Sequence, residues 1–239
     1  MLSSVNSFLG FDGGCIPDGE CLAVGQKEEN GCFLLHQVVS AALKEKKSVC
    51  LVSFVQKFHH YNAVAQKIGG ASLQSALEAK QLQFFDGLEE LLQTFFPGDS
   101  KPAPDPTNFL GVFKENLLRS LTSLRENTKT EPVLVIDELS VLLSMGFRVH
   151  DVRVFLKSLQ DEALGFESDS RDSLLPKSNG TSVAVLCSYD EHDKDSLSLW
   201  NFLATHSSVV INVTGLHTGY CKDVHGQVTN ALSLSLIHI

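Results

Sequence analysis

A three-layer α/β sandwich around a mostly parallel central sheet is the fold class that this sequence predicts. Two observations carry the prediction. The apolar residues come in short continuous runs, such as SVCLVSF at 48–54 and TSVAVLCS at 181–188. A strand with one wet face alternates polar and apolar residues, so a continuous run marks a strand covered on both faces. The runs also alternate with segments of helical length that carry an apolar stripe. That alternation is the signature of parallel strands joined by right-handed helical crossovers.

The elements follow in order. CLAVG (21–25) reads as a buried strand, and GCFLLHQVVSAALKEKK (31–47) as a helix with a basic last turn. SVCLVSF (48–54) is the second strand, and HHYNAVAQKIGG (59–70) a helix that ends at its glycines. LQFFDG (82–87) is the third strand and GVFKENLLRSLTSLREN (111–127) an amphipathic helix. PVLVIDE (132–138) is the fourth strand. The helix DVRVFLKSLQDEAL (151–164) places Val152, Phe155, Leu156, Leu159 and Ala163 along one stripe. A strand at 181–188, a helix at 196–206 and a strand at 207–213 complete the alternation. HTGYCKDVHGQVT (217–229) is rich in polar turn residues and predicts an antiparallel hairpin at the sheet edge. PGDSKPAPDPTN (97–108) and the polar stretch 166–181 read as loops, too poor in apolar surface to order themselves readily.

The 239 residues suffice for one large domain, with 43% hydrophobic and 20% charged residues. The net charge of −9 disfavours tight, independent binding to a phosphate backbone. The N-terminus lacks the basic and apolar regions of a secretory signal, and no run approaches the ~18 apolar residues of a membrane span. The six cysteines form no C-x-x-C pair, and Cys50 and Cys187 sit in apolar runs, where a thiol acts as a small hydrophobe. A reducing compartment is expected.

The strand that ends in Asp137 and Glu138 raises the chemical question. Acids at such a strand end hold magnesium or position water in nucleotide hydrolases. A phosphate-binding loop, G-x-x-x-x-G-K-[ST], must accompany them. Its glycines bare N–H groups to the phosphates, its lysine neutralises charge and its hydroxyl residue holds the metal. Between the first strand and first helix the chain offers Gly25-Gln26-Lys27-Glu28-Glu29-Asn30-Gly31-Cys32. The first glycine fits. Asn30 stands at the second glycine, Gly31 at the lysine and Cys32 at the hydroxyl residue. Glu28 and Glu29 add negative charge where phosphate would lie. Phosphoryl transfer is positioning plus charge neutralisation, which Asp137 alone does not supply. The preferred reading makes Asp137 and Glu138 a polar strand end that caps the next helix.

Other clusters have similarly plain readings. His59 and His60 form a helix start rather than a metal site. The run from Asp190 to Asp195 is a solvated loop that supplies a helix N-cap. Asp223 and His225 lie on a hairpin without a nucleophile motif. Trp200 belongs to core or interface. No catalytic residue, metal ligand or cofactor is assigned.

The order of elements resembles a RecA-type ATPase core with its active loop erased. CLVSFVQKFHHYNAVAQKIG, VLVIDELSVLLSMG and GLHTGYCKDVHGQV together resemble the Elongator subunit-six family, over roughly residues 20 to 229. The resemblance implies a RecA-like (P-loop NTPase-type) domain without catalytic phosphate-loop residues. It implies assembly with the fourth and fifth Elongator subunits into a hetero-hexameric ring, two copies of each, and contact with the remaining subunits. That ring is associated with tRNA binding, with ATP-dependent tRNA release and with modification of the wobble uridine, in cytoplasm and nucleus. Residues 1–230 are expected to form one domain, and 231–239 to be a foreign or truncated tail that leaves the hairpin edge open to association. Two rivals stay open: an ATP-binding or ATP-hydrolysing enzyme that uses Asp137 with an atypical loop, and a free-standing small-molecule binder at the carboxyl ends of the strands.

Overall fold

The computed structural model describes residues 15–96, 106–164, 180–215 and 226–232. Seven strands run through them: β1 (Cys21–Lys27), β2 (Val49–Ser53), β3 (Leu82–Asp86), β4 (Val133–Asp137), β5 (Ser182–Ser188), β6 (Val209–Gly215) and β7 (Gly226–Leu232). They form one sheet in the order β3–β2–β4–β5–β1–β6–β7. Every neighbouring pair is parallel except β6 and β7. The antiparallel edge lies where it was expected, though residues 217–225 of the expected hairpin fall outside the described residues. Ala231 and Leu232 pair with Val210 and Val209, so the strand crosses the boundary drawn at 230.

The helices are α1 (Cys32–Lys44), α2 (Phe58–Lys67), α3 (Leu73–Glu78), α4 (Gly87–Phe95), α5 (Pro106–Thr128), α6 (Val141–Ser144), α7 (Val149–Leu164) and α8 (Lys194–Thr205). Successive strand residues point to opposite faces, which divides the core in two. Leu22, Val24, Leu51 and Val135 meet α1, α2 and α3 on one face. Ala23, Val52, Ile136 and Val185 meet α4 through α8 on the other. The continuous apolar runs are thus strands covered on both sides, as their composition required.

Three helices escaped the sequence reading. The short α3 is capped by Ser72, whose hydroxyl accepts from Ser75 N–H. Helix α4 starts inside the predicted third strand's last residue, because Asp86 ends β3 and caps the helix through Glu89 N–H at 2.9 Å. Helix α6 is a single turn. A correction applies to the loop drawn over 97–108: α5 begins at Pro106, so residues 106–108 are helical. Proline is tolerated in a first turn, where its missing N–H has no partner to lose.

Several helices end on left-handed residues. Gly69 (φ 69°) ends α2, and Gly70 N–H bonds Ala65 carbonyl at 2.8 Å. Lys46, Lys80 and Lys129 hold the same conformation after α1, α3 and α5. No helix among the described residues is long and apolar enough to cross a membrane.

Candidate functional site

The carboxyl ends of β1, β2, β4 and β5 meet the N-terminus of α1, where a doubly wound sheet holds its ligand. The β1–α1 loop there is built around its own side chains. Gln26, the next-to-last residue of β1, lies opposite Ser188 of β5. Its Oε1 accepts the Gly31 N–H at 2.7 Å. Its Nε2 donates to Glu138 Oε2 at 2.6 Å and to Ser188 Oγ at 2.7 Å. One amide therefore ties β1, β4, β5 and the start of α1 together. Asn30 Oδ1 accepts the next N–H, that of Cys32, at 2.7 Å. Two of the backbone donors at this helix start, the Gly31 and Cys32 N–H groups, are already used.

The charges match this closure. Lys27 Nζ lies 3.1 Å from Glu191 Oε1. Glu28 holds a left-handed backbone (φ 66°). Gly25, the one loop glycine that fits the phosphate pattern, has a packing reason instead. A Cβ there would lie 2.7 Å from two Trp200 ring carbons and 2.8 Å from Asn212 Oδ1. Trp200 is buried and stacks on Tyr189 at 5.3 Å, which places it in the core.

Asp137 and Glu138 are where the sequence reading needs correction. Neither side chain caps α6; the capping position is Ser140, with no side-chain cap bond. Both acids are buried and turn inward. Glu138 takes a left-handed backbone (φ 64°), which costs a non-glycine residue roughly 1–2 kcal/mol. That turn aims its carboxylate at four donors. Oε2 accepts from Gln26 Nε2 and from Ser188 Oγ, and Oε1 accepts from Ser188 N–H at 2.9 Å and from the Ser140 hydroxyl. Asp137 Oδ2 accepts from the Tyr61 hydroxyl and from Cys32 Sγ at 3.8 Å. Tyr61 also meets Ser53 Oγ at 2.8 Å. Burial pushes the Asp137 carboxyl up to about 6, with the Glu138 charge adding and the Tyr61 bond opposing. Burial likewise pushes the Cys32 thiol up to about 12.

The residues present do not fit a nucleotide triphosphate. The carboxylates of Asp137 and Glu138 lie beside the helix start, Glu28 and Glu29 add negative charge to the β1–α1 loop, the one loop lysine is turned to Glu191, and the Gly31 and Cys32 N–H groups are occupied. Among the described residues, no cluster of three or more His, Cys, Asp or Glu could hold a metal ion. His60 packs near the buried His36, ring centroids 6.3 Å apart. Asp193 caps α8 by accepting from Asp195 and Ser196 N–H, as its loop predicted. Asp223 and His225 lie outside the described residues.

Sequence reasoning missed Gln26. Its signal was present, since Gln26, Glu138 and Ser188 are polar residues that end adjacent apolar strands. What was not visible was that one side chain would bridge all of them.

Comparison with known proteins supplies the family. A family model described as Elongation complex protein 6 matches residues 2–233. A protein named Elongator complex protein 6 from Rattus norvegicus is 33% identical over 240 residues, spanning 96% of this chain and 85% of its own. Its namesake from Homo sapiens is 32% identical over 239 residues, spanning 95% and 85%. Among solved structures, the KaiC-like protein PH0186 from Pyrococcus horikoshii superposes with a TM-score of 0.60 at 13% identity, over 95% of this chain and 86% of that one. The flagellar accessory protein FlaH from Methanocaldococcus jannaschii gives a TM-score of 0.55 at 13% identity, over 95% and 81%. At that identity the structural likeness shows a RecA-like fold and no more. The chain belongs to the Elongation complex protein 6 family.

Proposed function

We propose that this chain is a non-catalytic subunit of the Elongator complex. In this reading it joins the fourth and fifth subunits in a six-membered RecA-like ring, two copies of each, that supports tRNA binding and wobble-uridine modification. The observation that carries the non-catalytic part is the Gln26 amide, which fills the β1–α1 loop from within and consumes the N–H group a phosphate would take. The buried Asp137 and Glu138 support it: both bond to side chains of neighbouring elements, and Glu138 accepts from four donors. Family membership supports the place in the complex.

Co-expression with the fourth and fifth subunits, followed by native mass measurement, tests the assembly. A particle of six RecA-like domains containing two copies of this chain is expected. A stable lone chain that leaves the other two subunits unassociated would contradict it.

A further inference from the structure

Helices α5, α7 and α8 carry a groove on their outer surface. Three adjoining hollows make it: the first and second share Arg153 and Phe202, and the second and third share His150 and Val154. It crosses two interhelical spacings, about 16–20 Å, which matches a helix of about a dozen residues. The floor is apolar. Val154 is 54% exposed although it lies between charged neighbours.

Two features lack a reason within the chain. Arg153 Cζ lies over the Phe202 ring, 4.8 Å from its centroid, and Phe202 stacks in turn on His206. Its guanidinium reaches Ser198 Oγ only at 3.5 Å. Two other long cations of the groove are spoken for, Lys114 by Glu162 and Lys157 by Asp161, each at 2.7 Å. Among the described residues no carboxylate pairs with Arg153 or Lys194. A guanidinium held by an aromatic face keeps its edge donors free and fixed, ready for a carboxylate. The second feature is Gly111. It sits inside α5, where glycine is unfavourable, and a Cβ there would meet nothing within 4 Å. The chain's own packing does not require a glycine at this place. A close approach from outside would.

We propose that this groove seats an amphipathic helix of a neighbouring subunit. The helix lies apolar side down on Val154 and Phe202, crosses α5 at Gly111 and sets a carboxylate over Arg153 and Lys194. The inference rests on the Elongator reading above, and its partner is sought in the fourth and fifth subunits. A protein helix fits better than a phosphate backbone, because Asp151, Asp161 and Glu162 also line the groove and would repel phosphates along its length.

The test measures binding of the full chain to the co-expressed fourth and fifth subunits. Arg153→Glu and Gly111→Gln are each expected to weaken it at least tenfold. Gly111→Gln should at the same time raise the melting temperature of the lone chain, since it replaces an exposed helical glycine. Opposite signs for stability and affinity are not produced by a merely structural residue. Leu77→Gln, on α3 at the other face, should leave binding unchanged. Wild-type affinity in both groove variants would overturn the proposal while leaving the Elongator reading intact. Intact assembly with a loss of tRNA binding by the ring would make the groove a nucleic-acid surface and overturn it too. Failure of the wild-type chain to bind the pair would remove the Elongator reading, and this inference with it.

Discussion

Replacing Glu138 with alanine is expected to destabilise the chain by about 3–5 kcal/mol, a large share of the total stability of a domain. The reason is the number of donors that converge on one carboxylate. Gln26 Nε2, Ser188 N–H, Ser188 Oγ and the Ser140 hydroxyl all donate to it. Removing a single buried partner leaves the other group unsatisfied at roughly 1–3 kcal/mol, more when the lost group was charged. Four donors would exceed that range together if none relaxed. Gln26 and Ser188 are half-buried, so water recovers part of the loss. Relief of the left-handed backbone at residue 138 does not offset it, because alanine pays the same conformational cost. Glu138→Gln retains one acceptor oxygen and should fall between the two. Urea unfolding of the three proteins gives the ordering. A change under about 1 kcal/mol in Glu138→Ala would show that the carboxylate does not hold the strand ends.

The second large effect is a pH dependence that belongs to Asp137. Burial raises its carboxyl from the ordinary 3.8 to about 6 in the folded chain. The folded state therefore holds a proton that the unfolded state has released between those two values. Stability from this group is fully present below about pH 4 and is lost as pH rises through about 6. A rise of that size corresponds to on the order of 2–3 kcal/mol. His36 acts in the opposite direction. Burial, with His60 beside it, lowers its imidazole to about 4, so its contribution fades as pH falls from 6.5 toward 4. The raw stability curve mixes both groups. The informative quantity is the difference between wild type and Asp137→Asn from about pH 4 to about pH 7. The wild type should lose ground to the variant by that amount across the interval. A flat difference would mean that Asp137 is not desolvated as described.

These two acids also show where the sequence was legible and where it stopped. Strand β4 was plain, because VLVI has no polar alternation and must be covered twice. The layer order, the parallel crossovers and the antiparallel last pair followed from such runs and from helical stripes. The departures of the β1–α1 loop from the phosphate pattern could also be read residue by residue. The direction of Asp137 and Glu138 could not. A residue at a strand end can cap a helix or turn inward, and the backbone φ of Glu138 decides between them. Sequence periodicity carries no information on one such angle. Gln26 was opaque for a related reason. Its three partners come from β4, β5 and the helix start, between 5 and 162 positions away. Only the strand order brings them together. The short helices α3, α4 and α6 were missed because one or two turns hold too few residues to show a period, and Asp86 serves as strand end and helix cap at once.

The β1–α1 loop is closed by its own side chains, and the proposed non-catalytic role depends on that closure. The measurement that tests it most directly is a titration of the purified chain with magnesium ATP, repeated on Gln26→Ala. No saturable binding up to millimolar nucleotide is predicted for either protein. Removing the amide frees the Gly31 N–H but restores neither the lysine nor the hydroxyl residue, and leaves Glu28 and Glu29 in place. Saturable binding by the wild-type chain at micromolar ATP, competed by inorganic triphosphate, would contradict the closed loop, because it would require the loop to open and Gln26 to leave its three partners.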